Sequence, residues 1–133
     1  MAGDVVWQTV LRDSLASLAA PADEQVRANG PGCVACDLFE DFENARRVAV
    51  ESGELSRKQN AILATITAEF SSMQPQDSEC CNNYVLRRPA WEALRRLAAT
   101  ALFEFGWAGA AATPYLQVAP GVWHRKLDDE KTL

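Results

Sequence analysis

The sequence predicts an all-α, single-domain fold: a four-helix bundle with room for one extra short helix and an irregular C-terminal tail. Three observations support it. Apolar residues recur at helical spacing in four long stretches. Helix punctuation bounds those stretches, from Pro21 and Gly32 to Gly53, Ser56, Pro89 and Gly106. Period-two alternation is too scarce for a sheet. A chain of 133 residues is one domain by size and long enough to bury a core without staples.

The first helix is placed at about Asp4 to Ala20, with Asp4 as N-cap and Pro21 as stop. Val6, Trp7, Val10, Leu11, Leu15 and Leu18 make its apolar face, with Ser14 inside it and Asp13 outside or at its edge. Ala22–Ala28 reads as a further turn or two, and Asn29-Gly30-Pro31-Gly32 breaks the chain. A second long helix runs from Cys33 to about Ser52 around Leu38, Phe42, Ala45 and Ala49. Its acidic residues come early and its arginines late, as the helix dipole favours, and Gly53 closes it.

The third helix opens with Ser56-Arg57-Lys58-Gln59, a capping-box pattern. Ile62, Leu63, Ile66, Phe70 and Met73 form one face, and Ala61, Ala64 and Ala68 a second. A helix apolar on two sides reads as the most buried of the set. Gln74–Val85 is a polar loop. The fourth helix, Arg88–Gly106, begins with Pro89 in its first turn and sets Trp91, Leu94, Leu97, Ala98, Ala101, Leu102 and Phe105 on one stripe. Burying each large side chain of that stripe stabilises the fold by roughly 1.5–3 kcal/mol before entropy is subtracted. Beyond Gly106, Trp107, Tyr115 and Trp123 either fold back over Phe103 as a second small core, the favoured reading, or form a protein-binding surface, while Asp128–Leu133 reads as frayed.

The four cysteines are the sharpest chemical lead. Cys33-Val-Ala-Cys36 follows a Gly-Pro-Gly turn at a helix start, where unpaired N–H groups favour a thiolate. Cys80-Cys81 sits in the loop before the fourth helix. A structural zinc site, a thiol–disulfide pair and four reduced thiols without chemistry are the three readings. A vicinal pair is poorly shaped to supply two tetrahedral ligands, so zinc is the weaker of the chemical readings.

The stretch Cys33–Ile62 is superficially similar to helical peroxidase-type proteins of the carboxymuconolactone decarboxylase group, which also place C-x-x-C at a helix start. That resemblance implies thiol peroxidase chemistry through a histidine shortly after the second cysteine. Here Asp37-Leu38-Phe39-Glu40-Asp41 stands in its place.

With one histidine, His124, in the tail, paired Glu-x-x-His di-iron sites cannot be built, and no nucleophile elbow, P-loop or dinucleotide fingerprint is present. A formal charge of −5 argues against nucleic acid and anionic membranes, and no apolar run approaches a membrane span. The N-terminus reads as the reverse of a signal peptide, which points to the cytoplasm.

The resulting expectation is a non-enzymatic protein without a cofactor that binds another, basic protein, as an immunity or antitoxin-type inhibitor or an assembly subunit does. The partner surface would use Glu92, Arg95, Arg96, Phe103 and Trp107, with Asp37, Glu40 and Asp41. The alternative is a thiol–disulfide or zinc-stabilised protein using Cys33 and Cys36 with Cys80 and Cys81.

Overall fold

A computed structural model describes residues 6–29, 32–111, 115–119 and 122–125. The described residues form a helical domain of five α-helices: α1 (Trp7–Ala19), α2 (Ala22–Ala28), α3 (Val34–Glu51), α4 (Arg57–Ser71) and α5 (Pro89–Glu104). Four are long, and α2 is the extra short one. Helix α1 starts at Trp7 with extended Val6 as its N-cap, not at the expected Asp4 cap; the expected Gly30-Pro31 break and the Asp128–Leu133 end lie outside the described residues. None of these helices is long and apolar enough to cross a membrane.

Local chemistry sets the helix ends. Ser56 accepts from the Gln59 backbone N–H at 3.1 Å, and Gln59 Oε1 accepts from the Ser56 N–H at 2.8 Å, which completes the capping box of α4. At the end of α5 the N–H of Trp107 reaches the Leu102 carbonyl at 2.7 Å and that of Gly106 the Phe103 carbonyl at 3.0 Å. This is a Schellman closure, and it needs the positive φ of 79° that Gly106 supplies.

Helix α1 packs on both α3 and α5, and α4 packs on α5. Consecutive in the chain, α3 and α4 have few close backbone approaches and meet through large side chains, Phe39 and Phe42 against Phe70. Leu11, Leu15, Leu18, Leu38, Phe42, Ile66, Leu94 and Trp91 make the centre of the core. The most buried helix is therefore α1, not α4. From Asp13 to Leu18 it is buried without interruption, and Asp13 lies inside rather than at the edge. Ser14, Ala16 and Ser17 are small enough to let two neighbours approach the same turn. On α4 the alanines Ala61, Ala64 and Ala68 face solvent, because alanine favours a helix whether or not it is covered.

Helix α2 is fastened by Gln25, which is fully buried. Its Nε2 donates to the carbonyls of Ser17 (3.2 Å) and Leu18 (3.0 Å) in the last turn of α1, where helix carbonyls lack intrahelical i+4 donors. Its Oε1 accepts from Arg95 at 3.3 Å, tying α2 to α5.

Two expectations for the connecting segments need correction. The stretch after α4 is not an open polar loop: Pro75–Asp77 and Asn83–Arg87 form 3₁₀ turns, and the second buries Val85 and Leu86. The tail is not wholly irregular either. Strands β1 (Tyr115–Ala119) and β2 (Val122–Arg125) pair antiparallel, Tyr115 opposite Arg125, with an irregularity between Gln117 and Ala119. The Tyr-Leu-Gln-Val and Val-Trp-His alternation around Pro-Gly is the hairpin signal that was too short to stand out. The packing of the Tyr115 and Trp123 side chains lies outside what is described.

Candidate thiol site

The segment between α4 and α5 is anchored before it presents its cysteines. Asp77 is the anchor. Its carboxylate accepts from the Gln74 backbone N–H at 3.0 Å and from Arg88 Nε at 2.6 Å. Its carbonyl accepts from Trp91 Nε1 at 2.8 Å, and Trp91 is itself buried. The Arg88 guanidinium, then the Gln74 N–H, hold the Asp77 carboxyl below the usual carboxylate range. With both flanks of the segment fixed, Cys80 and Cys81 are set over the start of α3.

There Cys33 occupies the N-cap of α3 and Cys36 its third helical position. The sulfurs of Cys33, Cys36 and Cys80 all lie within 4.8 Å of one another. Cys81 has φ of 61°, a left-handed conformation, and this aims its backbone N–H at Cys33 Sγ, 2.9 Å away. Its own sulfur lies 3.5 Å from that of Cys80. Cys33 and Cys36 are half-buried, Cys80 and Cys81 exposed, and all four are free thiols.

The electrostatics separate the thiols. Partial burial works against ionisation of Cys33, but the backbone N–H groups of Cys81 and Cys36, then the neighbouring thiols, outweigh it and hold Cys33 at about 7. Cys36, which hydrogen-bonds to Cys33 and is partly buried, is pushed up to about 12. Cys81 rises to about 11 through Cys80 and then Cys33. One thiolate is favoured, and its charge raises its neighbours.

Beside the sulfurs lies a cavity of about 300 Å³, lined by Ala35, Cys36, Phe39, Phe70, Met73, Ser78 and Trp91. It sits between α3 and the end of α4. Phe39 meets Phe70 edge-on with ring centres 5.0 Å apart, and Phe70 meets Trp91 edge-on at 5.7 Å. Cys36 belongs both to the sulfur cluster and to the cavity wall.

The other residues singled out in the sequence are dispersed. Asp37, Glu40 and Asp41 lie in the first half of α3, while Glu92, Arg95, Arg96 and Phe103 are on α5. Arg95 is half-buried against Gln25. Trp107 is half-buried and stacked on Phe105 at 4.7 Å, and Trp7 joins both rings at 6.4 Å. That trio packs on the main core and is not the second small core expected over Phe103, which is 76% exposed. Glu92 and Arg96 are also exposed, two to three turns earlier on α5. Two residues at the site had no role assigned from sequence. Asp77 carried a signal, a Gln74-Pro75-Gln76-Asp77 capping pattern; nothing in the sequence marks Phe39.

Comparison with known protein families, with curated proteins and with solved structures finds no match to this chain.

Proposed function

We propose that this chain is a metal-binding helical protein in which Cys33, Cys36 and Cys80 hold a zinc ion that ties the segment before α5 to the start of α3. The observation that carries this reading is the convergence of three sulfurs from two distant segments within 4.8 Å. A Zn–S bond of about 2.3 Å puts tetrahedral sulfurs about 3.8 Å apart, so only small side-chain movements separate the cluster from a ligand set. A dithiol redox pair would need two sulfurs, and the third favours a metal. The N–H of Cys81 on Cys33 Sγ adds the outer-shell support that orients and stabilises a ligating thiolate. Because ligands must lose protons, binding releases them and adds its free energy to folding.

Zinc loading of the reduced protein tests this directly by native mass spectrometry. One ion per chain is expected, with a melting temperature that falls on chelation, and Cys33→Ser or Cys80→Ser should abolish stoichiometric binding. Four free thiols and no ion after loading would end the proposal.

A second reading, binding of another protein, has one specific support: the exposed Phe103 on α5. Affinity capture with wild type and Phe103→Ser as paired baits tests it. A partner retained by wild type and lost by the variant is expected; equal retention counts against it.

A further inference from the structure

The metal-centre reading leaves a coordination position to be filled, and this inference rests on that reading. Three sulfurs converge, while zinc bound by thiolates takes four donors. Cys81 is the nearest candidate within the chain. Its backbone N–H is turned onto Cys33 Sγ, and its sulfur, though beside those of Cys80 and Cys33, is outside the set of sulfurs that all lie within 4.8 Å of one another. The Cys36 side of the cluster faces a different feature, the cavity of about 300 Å³. That volume is at the small end of ligand pockets and fits one or two fused rings.

The cavity's chemistry narrows the occupant. Phe39, Phe70 and Trp91 give it aromatic walls, Met73 adds a polarisable one, and the Ser78 hydroxyl and Cys36 thiol are its polar groups. None of its lining residues is charged. Zinc with three thiolates already carries a net charge of −1. A fourth anionic donor would place a second negative charge against apolar walls, which is costly, whereas a neutral nitrogen would not. Aromatic nitrogen suits zinc as a ligand, and a flat ring suits edge-on contact with phenylalanine.

We propose that the position left open by Cys33, Cys36 and Cys80 is filled from this cavity by a small neutral aromatic heterocycle of the azole class. Its ring lies among Phe39, Phe70 and Trp91, and its unprotonated ring nitrogen ligates the metal. Nitrogen donates its lone pair, displaces solvent from the metal, and no electron or proton is transferred.

Cobalt(II)-loaded protein supplies the test, since the d–d bands of cobalt report the donor set. Titration with benzimidazole should shift these bands at a concentration at least about tenfold below that needed for imidazole, because the fused ring buries additional apolar area. Indole, which has the same body without the donor nitrogen, should leave them unchanged. Phe39→Ala, at a 41% exposed position, should weaken benzimidazole at least about threefold and leave imidazole unaltered. Cys81→Ser should preserve both the tetrahedral spectrum and the benzimidazole response. The inference is overturned if benzimidazole moves no band, if it acts no better than imidazole, or if Cys81→Ser removes the tetrahedral spectrum. Failure to bind cobalt or zinc at all would instead overturn the metal centre, and this inference with it.

Discussion

The backbone N–H of Cys81 donates to the sulfur of Cys33 at 2.9 Å, across 48 residues of chain. The contact depends on the left-handed backbone at Cys81, because an extended residue there would turn its N–H elsewhere. It makes Cys33 the thiol on which the cluster's negative charge settles first.

In metal-free, reduced protein, Cys33 should therefore be alkylated first. The thiolate is the reactive form, so iodoacetamide should modify Cys33 with a half-maximal rate near pH 7, while Cys36 and Cys81 respond only at strongly alkaline pH. Peptide mapping by mass spectrometry reads this out. Cys81→Gly keeps the N–H and tolerates the positive φ, so the reactivity of Cys33 should survive it. Equal labelling of all four thiols at pH 7 would contradict the hydrogen-bond account.

The anchor at Asp77 predicts an acid limb. Its folded pKa lies below its unfolded value, so its contribution is complete above about pH 4 and disappears as pH falls through the folded pKa. Urea midpoints measured from pH 7 to pH 2 should show Asp77→Asn less stable than wild type at neutral pH. The two curves should converge in acid. Parallel curves would mean that Arg88 and Gln74 do not act on the charged form.

Trp91→Ala should cost about 3–5 kcal/mol in denaturant unfolding, from the large buried side chain it removes. Trp91→Phe separates two components. It keeps most of the packing but leaves the Asp77 carbonyl without its donor, so it should cost less and still alter the reactivity of Cys80 and Cys81.

Ser56→Ala removes the reciprocal cap of α4 and should cost about 1 kcal/mol, without change in thiol labelling. Phe103→Ser should lie within about 0.5 kcal/mol of wild type, since its ring is mostly in water already. A larger loss in Phe103→Ser would show the ring to be covered.

The helices were legible because each has both a periodic stripe and a marked end. The capping box at Ser56 and the closures at Gly53 and Gly106 lie where the residues indicated. Misreadings arose where composition was ambiguous. The second face of Ala61, Ala64 and Ala68 suggested two-sided burial of α4, yet alanine carries too little apolar area to demand it. In α1, two serines and an aspartate disguised the most enclosed helix. Cys33 and Cys36 could be paired by spacing alone. Their meeting with Cys80 could not, because it depends on the anchor at Asp77 and on tertiary contacts of α5.

The scarcity of close backbone approaches between α3 and α4 has a dynamic consequence. α3 leans on α1 and α4 on α5, so two helix pairs meet along the α1–α5 seam, and the opposite side is closed through large side chains. The sulfur cluster and the cavity both lie on that side. Breathing should follow the same division, with amides at the start of α3 exchanging through small local openings and those of α1 and α5 only through global unfolding. An ion held by Cys33, Cys36 and Cys80 would act as a clasp on the side that opens first, and its occupancy would set how often the aromatic cavity is exposed to what surrounds the protein.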